Sequence, residues 1–312
     1  MRIHQVIEST EWRHVLIVSF CAGVLYYMGV QLALLFVNPV EKIAFFWPSN
    51  AIAASVLIFA PRRNWPLVLT AVVVGYLGAR MPAGSLPYSV LAGFSFANLF
   101  EIIAVALLFR TLWKKDVEVG SIAGFLPFLL IACVMAAVLS GVIGGFVVSQ
   151  LLHGAAFPRS FVVWFSGDLS GLVLLLPPLL LLLAPDGGTG RFALPQVSLR
   201  SGLWITVALI AIAGVLFLSA PVDWNPWLFI PFLILCGLLW VAVRVNVVWT
   251  IVGTTIAGIA EIIATFVGFG LFRFGDISIT DEVVLMKAAI AVMTLGLLLI
   301  ASNSETSAEE HS

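Results

Sequence analysis

The chain has 312 residues, of which 62% are hydrophobic and only 10% charged, with a mean hydropathy of +1.14 and a formal net charge of −1 at pH 7. A soluble domain carries about 25% charged residues, so this composition excludes a soluble globule and defines a polytopic membrane protein. The near-zero charge, with no basic block larger than Arg110, Lys114 and Lys115, also excludes a nucleic-acid footprint.

Charges are nearly confined to short gaps between apolar runs of about 20 residues, the length that crosses a bilayer. In chain order these runs predict ten spans: Val15 to Val37, Ala44 to Phe59, Pro66 to Gly78, Tyr88 to Phe109, Ile122 to Val147, Phe161 to Leu183, Leu203 to Leu218, Trp227 to Val243, Val247 to Phe266 and Val283 to Ala301. The first run is too long for a signal-peptide core and no small-residue cleavage site follows it. Only Pro61-Arg62-Arg63-Asn64 separates the second and third runs. They form either two crossings or a tight hairpin that does not fully cross, which makes eight crossings the alternative. The predicted fold is therefore an all-α helical membrane bundle: one transmembrane domain over residues 1–301, then a polar tail at 302–312 expected to be disordered.

Lys and Arg in the short loops set the orientation. Starting with the N-terminus inside, the inner segments hold Arg2, Arg13, Arg62, Arg63, Arg110, Lys114, Lys115, Arg191, Arg200 and Arg244; the outer ones hold Lys42, Arg80, Arg159, Arg273 and Lys287. The excess predicts both termini in the cytoplasm, and the outer side also collects Asp223, Asp276, Asp281 and Glu282. The turn-rich linker from Ala184 to Arg191 divides the chain into six spans and then four. A faint echo, Glu101-Ile102-Ile103-Ala104 against Glu261-Ile262-Ile263-Ala264, is more economically a coincidence of apolar sequence than a repeat.

Cys21, Cys133 and Cys236 each fall inside an apolar run, an odd set without metal-site spacing, so neither a disulfide frame nor zinc is expected. His4, His14, His153 and His311 fall in loops and ends and are expected to be surface residues. There is no Gly-rich phosphate loop, no zinc helix motif and no His beside a Ser or Cys at membrane depth, so neither catalysis nor a cofactor is expected.

The informative residues are carboxyls inside apolar runs, because a charge at lipid depth costs several kcal/mol unless it is paired, hydrated or neutralised. Glu101 has Asn98 three residues earlier on the same helical face. Asp168 sits in Trp164-Phe165-Ser166-Gly167-Asp168-Leu169-Ser170-Gly171, whose small residues admit a neighbouring helix. Pro177 and Pro178 beyond it are expected to kink or break the span and free backbone carbonyls. Glu261 follows Thr254, Thr255 and Gly258. Each acid is either helix-packing glue or part of a recognition site, and Arg80, Arg159, Arg244 and Lys287 at span ends are the cations that can reach inward. Pro48 with Ser49 and Asn50 predicts a helix start near the outer face, the two polar residues capping free N–H groups or offering an anion site. Trp47 and Trp65 are candidate interfacial anchors.

Several of these stretches together resemble the first class of the membrane-associated sensor domains, abbreviated MASE. They are Phe46-Trp47-Pro48-Ser49-Asn50-Ala51-Ile52-Ala53 with Pro61 to Pro66, Asn98-Leu99-Phe100-Glu101 leading to Arg110, Trp164 to Gly171 followed by Pro177, and Leu239-Trp240-Val241-Ala242-Val243-Arg244. The resemblance implies a bacterial inner-membrane sensory module that signals to a cytoplasmic histidine kinase, diguanylate cyclase or phosphodiesterase, often through a PAS domain. The chain stops soon after its last predicted span, where the family typically continues, which implies a sensor acting through a partner or one separated from its output domain.

The sequence thus predicts a ligand or partner site at Trp47, Ser49, Asn50, Asn98, Glu101 and Asp168, with structural or coupling roles for Pro48, Arg62, Pro177, Arg244 and Glu261. The expected partners are the bilayer, a cytoplasmic signalling protein and a small molecule, with a homodimer admitted and no nucleic acid. The competing classes are a small-solute transporter or substrate-capture subunit, for which buried acids and broken helix entries are equally suitable, and a membrane scaffold.

Overall fold

A computed structural model describes residues 3–37, 44, 46–81, 86–112, 122–152, 156–183, 237–242, 247–267 and 279–310. The described chain is helical, its one β-bridge joining Val37 to Ala44, where the chain doubles back between two helices. The helices are α1 (Ile3–Glu8), α2 (Trp12–Leu34), α3 (Ser49–Phe59), α4 (Trp65–Arg80), α5 (Tyr88–Leu112), α6 (Ile122–Leu151), α7 (Phe157–Leu183), α8 (Val247–Val267) and α9 (Ile279–Glu310), with a 3-10 turn at Arg62–Asn64. Among the described residues five stretches are long and apolar enough to cross a membrane: Trp12–Leu34, Tyr88–Leu112, Leu126–Leu151, Phe157–Leu183 and Met286–Asn303. The predicted seventh span and most of the eighth, with Arg244, lie outside the described residues.

The second predicted span is shorter than the sequence implies. It is helical only from Ser49, and 11 residues rise about 16 Å, roughly half of a hydrocarbon core. Such a helix is viable at membrane depth only if protein surrounds it, since its end groups need partners that lipid does not supply. Nine of its residues are buried, among α2, α4, α5 and α7, which makes α3 the centre of the bundle. By contrast α2 turns Trp12, Phe20 and Met28 outward, a stripe suited to acyl chains.

The far end of α3 is finished by side chains. Arg110, from the last turn of α5, donates from Nε and Nη2 to Ile58 O at 3.0 and 2.7 Å, and from Nη2 to Ala60 O at 2.8 Å. Trp65, for which an interfacial anchor is the sequence expectation, is instead buried, donates from Nε1 to Ala60 O at 3.1 Å and carries the Arg110 guanidinium over its ring at 5.4 Å. These bonds serve terminal carbonyls that no helical N–H can reach.

Two further features bear on the sequence expectation, the first of which frees a carbonyl as expected without breaking the span. Pro177 and Pro178 lie inside α7, which stays helical through both. Pro178 has no N–H for the carbonyl four residues earlier, Leu174 O, and Thr255 Oγ1 of α8 donates to that oxygen at 2.7 Å. The freed carbonyl has become a tie between helices. The polar stretch from residue 302 continues the last helix: α9 runs on to Glu310. A helix already nucleated over its apolar part extends at small cost through Glu305, Ala308, Glu309 and Glu310.

Because Arg110 makes three bonds to the end of α3, Arg110→Met is expected to lower stability by about 2–4 kcal/mol, and Arg110→Lys to recover less than half of that. Unfolding midpoints in mixed micelles measure this, and equal midpoints for all three proteins would show that the end of α3 does not need the clamp.

Candidate functional site

Where α3 begins, α2, α5 and α7 bring their polar residues to one place. Pro48 is the N-cap, in helical conformation and without a side-chain cap, so Ser49 and Asn50 do not act as caps, contrary to the sequence expectation. Asn50 turns inward and uses its whole hydrogen-bonding capacity. Its Oδ1 accepts from Tyr26 Oη of α2 at 2.8 Å and from Trp47 Nε1 at 3.1 Å. Its Nδ2 donates to Asn98 Oδ1 of α5 at 2.9 Å and to Glu101 Oε2. The indole can only donate, so the amide is fixed in one orientation. Asn98 in turn donates from Nδ2 to Phe94 O at 2.8 Å, one turn back along α5.

The second half of the site comes from α7. Asp168 Oδ2 accepts from Ser140 Oγ of α6 at 2.9 Å, and Ser140 Oγ accepts from Trp164 Nε1 at 3.0 Å. Gly144, one turn beyond Ser140, gives the indole its seat, since a Cβ there would overlap the Trp164 ring. Gly171 does the same for the backbone: a Cβ would collide with Trp47 O, so only glycine lets α7 approach the entry to α3 this closely. Glu101 and Asp168 lie within electrostatic reach of each other, both deep inside the bundle. Among the described residues Glu101 Oε1 has no partner, nor has Ser49 Oγ, which packs where Gly29 lacks a side chain.

Asp168 and Asn98 also face a cleft of about 390 Å³ of empty space, whose other walls are Ala44, Trp47, Tyr76, Arg80, Phe94 and Trp164. The rings pair as Trp47 with Tyr76, edge-on at 6.4 Å between centroids, and Phe94 with Trp164 at 4.8 Å. The cleft lies on the side where α4 ends and α5 begins. A further charge stands behind Asp168. Lys287 of α9 is fully buried, donates from Nζ to Val163 O of α7 at 3.1 Å and attracts the Asp168 carboxyl.

Of the sequence-predicted residues, the structure brings together Trp47, Asn50, Asn98, Glu101 and Asp168, with Ser49 beside them and Pro48 at the entry of α3. Arg62 is exposed on the turn before α4, and Glu261 is half-buried on α8, outside the cleft lining. Among the cations able to reach inward, Arg80 lines the cleft, Lys287 stands behind it, Arg159 is exposed and Arg244 lies outside the described residues. Sequence reasoning missed Tyr26, Tyr76, Ser140 and the ring of Phe94. Tyr26 left a usable signal: a phenol in mid-span needs a polar partner.

Membrane-length helices packed around a buried polar network, with a cleft opening onto that network, define a polytopic membrane protein with an internal polar site. The MASE1 family model matches residues 14–307, and the chain belongs to this family of membrane-associated sensor domains. No curated protein and no solved structure matches the chain.

Replacing Asn50 by Leu strands Tyr26 Oη, Trp47 Nε1, Asn98 Oδ1 and Glu101 Oε2 in one step. A loss of about 3–5 kcal/mol is expected by denaturant titration in micelles. A loss below about 1 kcal/mol would mean that the network rearranges around other donors.

Proposed function

We propose that this chain is the sensory module of a bacterial inner-membrane signalling system, in which occupancy of the cleft changes the packing of α7 against α9 and α9 carries the change to a cytoplasmic output. The output is a histidine kinase, a diguanylate cyclase or a phosphodiesterase, as a separate partner or a joined domain. The proposed topology has both termini in the cytoplasm and about ten crossings, on the distribution of Lys and Arg and the apolar runs. In that orientation the mouth of the cleft faces outward. The module is proposed to bind and signal without catalysis of its own, on the sequence's lack of a phosphate loop or a His beside a nucleophile at depth.

The observation that carries this reading is that α7 touches both ends of the route: its Asp168 lines the cleft, and its Val163 O accepts from Lys287 Nζ of the last helix at 3.1 Å, with Lys287 within electrostatic reach of Asp168. A ligand group that engages Asp168 competes with Lys287 for it, and Lys287 cannot turn to water because it is fully buried. Two packings of α9 therefore differ in energy according to what occupies the cleft, which is the requirement for a ligand to shift a conformational equilibrium.

Spin labels at Asn303→Cys and Leu112→Cys, in a background without the other cysteines, report the position of α9 against α5. Asp168→Asn and Lys287→Met are each expected to move the distance distribution by about 2 Å or more or to populate a second peak, whereas Glu261→Gln leaves it in place. Unchanged distributions in both site variants, with folding intact, would remove α9 as the signalling element.

A further inference from the structure

On the reading that the cleft is the ligand site, its chemical polarity narrows the ligand. Its lining holds one carboxyl, Asp168, with the buried Glu101 close to it. It also holds one cation, Arg80, in the last turn of α4 and one turn from Tyr76, with whose hydroxyl it interacts. The lining shares four aromatic rings, Trp47, Tyr76, Phe94 and Trp164.

We propose that the ligand is a small zwitterion, a free amino acid or a betaine, bound with its ammonium against Asp168 among the rings and its carboxylate on Arg80. Aromatic faces and a carboxyl are the surroundings that favour an ammonium group over its hydrated state. Arg80 presents the planar fork that matches a carboxylate. The other ligand classes each meet an opposing group. A simple anion would find no counterpart for Asp168, a simple cation would face Arg80, and a neutral sugar would leave Arg80 without a carboxylate.

The test is calorimetric titration of the full chain in lipid nanodiscs. The probes are the twenty protein amino acids and glycine betaine, beside phenethylamine, 3-phenylpropionate, glucose and inorganic phosphate. At least one zwitterion is expected to bind at least tenfold more tightly than phenethylamine or 3-phenylpropionate. Arg80→Gln is expected to weaken that binding at least tenfold without lowering the melting temperature, Asp168→Asn to weaken it at least tenfold, Arg80→Lys to restore part of it, and Glu261→Gln to leave it intact. Binding by none of the zwitterions, equal binding by the two half-ligands, or indifference to Arg80→Gln overturns the proposal. Glucose or phosphate binding that is lost in Asp168→Asn overturns it while leaving the cleft a ligand site. The sensing reading fails separately, in the α9 distances of the ligand-free variants.

Discussion

Everything at the centre of this bundle depends on one amide. A carboxyl group at membrane depth has to be given donors by protein, because lipid provides none, and Asn50 delivers one to Glu101 while holding Tyr26, Trp47 and Asn98 in place. That requirement explains the shape of α3. A full-length span would place its first turn at the interface, where water competes for every polar group. A short helix entered through Trp47 and Pro48 places Asn50 where α2, α5 and the indole of its own entry segment reach it. The same requirement explains Gly171, since α7 must come within backbone contact of Trp47 for Asp168 to stand beside the network.

Much of this arrangement is legible in the sequence because polar residues are rare in apolar runs and so mark themselves. Glu101 with Asn98 one turn earlier, and Asp168 among small residues, stand out on composition and helical spacing alone. The extents of α5, α6 and α7 follow their apolar runs closely for the same reason. What is not legible is of two kinds. Local length is misjudged where residues before Ser49 are apolar but not helical, because hydropathy does not separate a buried loop entry from a span. Partners are missed where the signal is tertiary: Ser140 is an ordinary small residue until Trp164 and Asp168 converge on it. Lys287 lies near the start of its predicted run, and only the packing of α9 against α7 turns it into a buried residue.

The helix prolines make a related point about what a residue type predicts. The missing N–H of Pro178 is foreseeable, but its consequence is not a break. Leu174 O has found Thr255 on another helix, so a local defect becomes a tertiary bond. In a membrane, where apolar packing between helices gains little over packing against lipid, such exchanges of local for tertiary hydrogen bonds give helices a reason to associate in one register.

The clamp of Arg110 and Trp65 on the final carbonyls of α3 bears on how that helix can move. One end is fastened by a guanidinium and an indole, while the other is held by a side-chain amide whose partners sit on α2, on α5 and on the entry segment itself. The two ends therefore answer to different groups: a tilt of about 10° over the helix's length of about 16 Å, taken about the Arg110 end, would displace Asn50 by about 3 Å, roughly the length of a hydrogen bond. The polar network at the entry of α3 thus fixes the direction of the helix as well as satisfying its own polar groups.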